Sequence, residues 1–247
     1  ENNGGRHISF GDGVYKSLDG GQTWKNMGLS KSEHVSDIII HPTNPDIVWA
    51  GTGETFVIRP AHAMGDGIYK SEDAGKTWKN MGLEKTGRIG RIIVHPTNPD
   101  IVYAASLGHT YGPQQERGVY KSIDGGVTWK KTLYKNKLSG AAELSMDANA
   151  PDILYAALWH HERDPNVIIS GGEGSGLYKS TDAGETWTEL TEGLPKEKGK
   201  MAIAVSPANS NKVYALIESD SNKDQGGLFV SEDAGKTWSM ISGDNRL

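Results

Sequence analysis

Cysteine is absent from all 247 residues, which removes disulfide staples, thiol nucleophiles and cysteine metal sites together. No apolar stretch is long enough to span a membrane. Lysine and arginine never gather into a block, and the net charge is −5, so nucleic acid is not an expected partner. Sustained helical periodicity is missing as well. Phenylalanine is scarce, at three residues, whereas glycine is plentiful, at 32. With 36% hydrophobic residues, this composition fits many short strands joined by turns, in a chain long enough for a substantial core.

What is present is a repeated eight-residue box, Ser-x-Asp-x-Gly-x-Thr-Trp. It runs over Ser17 to Trp24, Ser71 to Trp78, Ser122 to Trp129, Ser180 to Trp187 and Ser231 to Trp238. The tryptophans Trp24, Trp78, Trp129, Trp187 and Trp238 recur at spacings of 54, 51, 58 and 51 residues. A period near 50 means one supersecondary unit repeated. Short alternating runs flank each box, as in Gly67-Ile68-Tyr69-Lys70 before and Trp78-Lys79-Asn80-Met81 after, which reads as a β-hairpin. In the turn, the carboxylates of Asp19, Asp73, Asp124, Asp182 and Asp233 can accept backbone N–H groups. The box glycine suits a backbone angle closed to most residues, and the tryptophan offers a large face to a neighbouring hairpin.

A second hairpin precedes each of the last four boxes. Asp37 to His41 and Ile47 to Gly51 flank Pro42-Thr43-Asn44-Pro45-Asp46, and the same pattern recurs over residues 90–105, more loosely over 142–157 and 201–217. One unit is therefore four antiparallel strands, A to D. The expected fold is all-β, a β-propeller with four-stranded antiparallel blades, here about four and a half blades of a larger ring. Expected boundaries are 1–29 for a partial blade, then 30–83, 84–134, 135–193 and 194–247. The first box has no A–B hairpin before it, so the chain is expected to begin inside a blade, and the absence of a signal peptide carries little weight.

The boxes resemble the Asp-box, or BNR repeat, of the sialidase superfamily and of sortilin-like propellers. The surrounding His-Pro-Thr-Asn-Pro-Asp-Ile-Val and Gly-Val-Tyr-Lys-Ser resemble bacterial sortilin-like proteins labelled glycosyl hydrolase BNR-repeat proteins, and xyloglucanase-type glycoside hydrolases. The resemblance covers essentially the whole chain. It implies a propeller in which the boxes are fold-forming turns remote from any active site, in a secreted, periplasmic or cell-surface protein. It specifies function much less than fold.

Strand order puts the A–B and C–D turns, boxes included, at one end of each blade. The B–C and D–A loops lie at the other, and function is expected there. Those loops carry six of the eight histidines. Ligand-binding candidates are Arg59, His62, His109, Tyr111, Arg117, Trp159, His160, His161 and Arg163, with Arg6, His7, Phe10, Phe56, His34 and Arg88 nearby. Trp159 is equally suited to packing beneath the long loop. Adjacent His160 and His161 point to opposite faces of a strand, and no metal-ligand spacing motif appears, so neither metal nor cofactor is expected. One fixed carboxylate per box is too few for calcium.

A glycosidase would need two carboxylates flanking a sugar; Glu54, Glu116, Glu162 and Asp164 are eligible by face, as is Glu173. Phe56-Val57-Ile58-Arg59-Pro60 departs in order from the sialidase Phe-Arg-Ile-Pro motif, and a xyloglucanase-type site does not map residue by residue. The main expectation is a non-catalytic interaction scaffold binding peptide, protein or glycan, with the remaining blades of the propeller or another chain as further partners. The alternative is a fragment of a xyloglucanase-type enzyme whose catalytic carboxylates are shared with a missing part.

Overall fold

The computed structural model describes residues 11–55, 64–164, 166–219 and 225–244. Strands β1 (Tyr15–Lys16) and β2 (Lys25–Asn26) form the first hairpin. The second sheet holds β3 (Val35–Ile40), β4 (Val48–Thr52), β5 (Ile68–Ser71) and β6 (Lys79–Asn80). The third holds β7 (Ile89–Val94), β8 (Val102–Ser106), β9 (Gly118–Ser122) and β10 (Lys130–Leu133). The fourth holds β11 (Ser139–Met146), β12 (Leu154–Arg163), β14 (Gly176–Ser180) and β15 (Thr188–Leu190), with β13 (Ile168–Ser170) paired to the end of β12. The last holds β16 (Met201–Ser206), β17 (Asn209–Ile217), β18 (Gly227–Ser231) and β19 (Ser239–Ser242). Every pairing is antiparallel and every full sheet follows the order A-B-C-D, the blade of a propeller.

The five box turns are nearly superposable in their hydrogen bonding. In the second copy, Ser71 Oγ donates to Asp73 Oδ1 at 2.8 Å and accepts from Gly75 N at 2.8 Å. Asp73 then accepts from Thr77 N at 2.8 Å and Thr77 Oγ1 at 2.7 Å. Both carboxylate oxygens are thus engaged inside the turn. Those donors pull each box carboxyl down to about 2, the threonine hydroxyl contributing most and the threonine N–H next. The box glycines sit at φ between 77° and 90°, the left-handed region that glycine enters without a Cβ penalty. The His-Pro-Thr-Asn-Pro turn has its own cap, since His41 Nδ1 accepts from Thr43 N at 3.3 Å and Asn44 N at 3.2 Å.

Cores lie between blades rather than within them. Trp49 and Ile68 of the second sheet pack with Ile92, Val102 and Tyr120 of the third, and equivalent clusters join the third to the fourth and the fourth to the fifth. Box tryptophans reinforce these seams: Trp78 Nε1 donates to Met27 O and Trp129 Nε1 to Met81 O, both at 2.8 Å in the preceding blade. The innermost strands β3, β7, β11 and β16 contact one another in that order and line the channel.

The array is an open arc. Ile38 and Ile40 on β3 are 44% and 59% exposed, whereas Ile92 and Val94 at the same repeat positions are 0% and 6% exposed. Among the described residues no inner strand lies on the other side of β3, and the fold is a fragment of a propeller.

Candidate functional site

The A-strand starts and B-strand ends meet at the channel mouth opposite the boxes, where a cavity of about 800 Å³ opens. Its charged lining is Arg91, Glu143, Lys200, Glu218 and Asp244. Three of the inner strands carry a β-bulge at one repeat position, between Val35 and Asp37, Ile89 and Arg91, and Ala141 and Glu143. An extra residue re-aims the side chain that follows it, and Asp37, Arg91 and Glu143 form a ladder across three blades. Arg91 grips Glu143 in bidentate fashion, Nε to Oε1 at 2.5 Å and Nη2 to Oε2 at 3.0 Å, with Nη1 3.6 Å from Asp37 Oδ1. Gly90 is required at its bulge, because a Cβ there would lie 2.8 Å from Ala142 O.

Lys200 spans the mouth. Its Nζ lies 3.3 Å from Thr55 O and 5.5 Å from the centre of the Trp159 ring, and burial lowers its pKa. Glu218 is held by Ser170 Oγ at 2.5 Å and by Lys200 N at 2.9 Å. The opening therefore carries both acceptors and donors.

None of the sequence candidates among the described residues lines this cavity. Glu54 is buried beside His34, with His34 Nδ1 3.4 Å from Glu54 Oε2. Glu116 is half-buried. Glu162 is exposed and lies 3.3 Å from His160 Nε2. Asp164 closes the β12–β13 turn, accepting from Asn166 N and Val167 N at 2.9 Å each. The segment expected to be the longest loop is thus an ordered hairpin. A smaller cavity of about 150 Å³ beside it does gather His161, Glu162, Arg163 and Asp164. Tyr111 is exposed and His109 and Arg163 are half-buried, while Arg59 and His62, with Arg6, His7, Phe10 and Phe56, lie outside the described residues.

Of the ligand-binding candidates, Arg117, His161 and Trp159 are buried. Trp159 stacks on His161 at 4.5 Å between ring centres, as i and i+2 on one strand face permit, and donates from Nε1 to Ser170 Oγ at 3.1 Å. Arg88 Nη2 donates to His161 Nε2 at 2.6 Å, while His161 Nδ1 lies 3.5 Å from Trp159 O and 3.2 Å from Arg117 Nη1. Arg117 Nη1 approaches the same ring at 3.2 and 3.4 Å. Both guanidinium groups also donate to His109 O at 3.0 Å, and Arg117 reaches Leu138 O at 3.1 Å. Burial first, then the charges of Arg88 and Arg117, hold the His161 imidazole well below its usual range. Burial likewise brings Arg88 down to about 9 and Arg117 to about 10. This cluster ties the loops of the third and fourth blades together beneath the surface.

A xyloglucanase of Hypocrea jecorina is 26% identical over 90% of this chain, which spans 28% of that protein. Xyloglucanase Xgh74A of Acetivibrio thermocellus is 25% identical over 81% of the chain, 25% of its own length. The chain thus spans about a quarter of these curated relatives. Among solved structures, the Niastella koreensis GH74 enzyme superposes with a TM-score of 0.66 at 20% identity, covering 91% of this chain and 33% of that one, and agrees in fold. Residues 12–135 match the model of the family described as Sortilin-Vps10, sortilin, neurotensin receptor 3. That match takes in half of the sequence and, with the box-bearing blades, identifies the chain as a member of the Sortilin-Vps10 family.

Proposed function

We propose that this arc forms one wall of a glycan-binding cleft in a xyloglucanase-type glycoside hydrolase, with catalytic carboxylates shared with another part of the protein. The observation that carries the reading is the collinearity of the chain with xyloglucanases over 81–90% of its length. The chemistry of the channel mouth supports it: sugar hydroxyl groups both donate and accept, and Glu143, Glu218, Arg91 and Lys200 offer both functions around one opening. Glu54, Glu116, Glu162 and Asp164 are spread among a buried contact with His34, a rim and a turn, which favours a wall over a self-sufficient catalytic pair. An extracellular, periplasmic or cell-surface location fits this reading, and no helix among the described residues is long and apolar enough to cross a membrane.

The test is incubation of the intact protein with xyloglucan, reading reducing-end release, alongside affinity electrophoresis in gels containing the polysaccharide. Retardation with release of reducing ends is the expected result. Retardation without release would return the protein to the non-catalytic scaffold reading. Absence of both, with peptide binding at the channel mouth, would overturn the glycan assignment.

A further inference from the structure

At every internal junction that the structure describes in full, the same strand-B position of one blade closes on the box of the next, and at two of the three a strand-D position joins it. Strand B supplies Trp49, Tyr103 or Tyr155. Each ring lies against the next blade's box glycine, so that a Cβ on Gly126, Gly184 or Gly235 would come within 2.6, 2.9 or 3.2 Å of it. Tyr103 Oη donates to Ala183 O at 2.8 Å and Tyr155 Oη to Ala234 O at 3.0 Å, in each case the residue before that glycine. Strand D supplies the residue three places after its own box tryptophan. Met81 flanks Gly126 and accepts from Trp129 Nε1, and Leu190 flanks Gly235.

In the last blade the repeat puts Tyr214 and Ile241 at these two positions. Tyr214 is only half-buried, where Trp49, Tyr103 and Tyr155 are fully buried. Ile241 is 54% exposed, against 9% for Leu190. Leu216 is exposed beside them, and its repeat equivalents Ala105 and Ala157 are buried.

We propose that Tyr214 and Ile241 form a socket for one further Asp-box, carried by the next blade of the same ring in the intact protein. That blade lays its box glycine on the Tyr214 ring and accepts the Tyr214 hydroxyl proton at the carbonyl before that glycine. Ile241 flanks that glycine as Leu190 flanks Gly235. A side chain at the glycine position would crowd the ring, as a Cβ on Gly184 or Gly235 would at 2.9 or 3.2 Å from Tyr103 or Tyr155. The socket differs from the others in one respect. Val230 stands opposite Tyr214, where Lys70, Lys121 and Lys179 stand opposite the earlier aromatics, so the ammonium that Lys179 gives to Ala234 O has no counterpart.

The experiment replaces Tyr214 of the intact protein by a photo-crosslinking phenylalanine derivative and maps the crosslinks by mass spectrometry. Hydroxyl-radical footprinting of the unsubstituted protein runs in parallel, with buried Tyr103 and Tyr155 and exposed Tyr111 as internal references. A crosslink within one chain to a peptide containing Ser-x-Asp-x-Gly-x-Thr-Trp is expected, with Tyr214 oxidised as slowly as Tyr155. A crosslink to a peptide without the box would overturn the proposal. So would a crosslink between chains that disappears on dilution, which makes a second copy the occupant, or oxidation of Tyr214 at the rate of Tyr111.

Discussion

His161 is held as a neutral acceptor between two buried cations, so protons should destabilise the protein well before its carboxylates titrate. In the unfolded chain a histidine takes up a proton near pH 6.5; in the folded protein this one resists, because its pKa is depressed by burial and by Arg88 and Arg117. The unfolded state therefore binds more protons below that pH. Stability is full above about pH 6.5 and falls as pH drops toward the lower folded-state value. If the native imidazole stays neutral, the loss at pH 5 amounts to about 2 kcal/mol, since one pKa unit is worth about 1.4 kcal/mol. The substitution His161→Gln keeps an acceptor for Arg88 but cannot titrate. Urea unfolding from pH 5 to 8 should show the wild-type midpoint falling more steeply with acid than that of H161Q, the gap closing above pH 7. Parallel pH profiles for the two proteins would refute the assignment of a neutral, buried His161. His161→Ala, which leaves both guanidinium groups without their shared acceptor, should cost on the order of 3 kcal/mol even at pH 8.

Other outcomes follow from the seams and the boxes. Gly126→Ala adds a Cβ 2.6 Å from the Trp49 ring at a positive φ, and should destabilise by roughly 2–4 kcal/mol, whereas Gly112→Ala, with open space at its Cβ, should cost only about 1 kcal/mol; urea midpoints compare them. Tyr103→Phe removes the hydroxyl donated to Ala183 O and should cost about 1 kcal/mol in the same assay. The five box carboxyls, drawn down to about 2, favour the fold above their unfolded pKa near 4 and lose that contribution as pH falls through 2. A circular-dichroism acid titration should therefore show an unfolding arm in that window, displaced to higher pH in Asp182→Asn. An unmoved arm would contradict the turn assignment.

The fold was legible because its units are local. Ser71, Asp73, Gly75 and Thr77 satisfy one another within seven residues, and His41 caps its own turn, so each pattern in the sequence already contains its partners. The site was not, because its contacts run between blades. Nothing near Arg117 or His161 in sequence reveals that Arg88 from another loop buries with them. Trp159 was equally suited to packing or to ligand contact, and its bond to Ser170 of the β12–β13 hairpin could not be read from the sequence. Asp37, Arg91 and Glu143 were a missed signal: charges at one repeat position of an inner strand that otherwise reads apolar. The bulges that bring them together leave no mark in the sequence, because each is a one-residue shift in pairing.

The channel-mouth assignment is tested most directly by isothermal titration of the intact protein with xyloglucan oligosaccharides, wild type against Lys200→Met. The substitution keeps much of the side chain's length over Trp159 while removing its ammonium group from the mouth. Binding weakened by about tenfold, near 1.4 kcal/mol, is the predicted result. Equal affinity in the two proteins, or no heat from either, would contradict a glycan site built on this mouth.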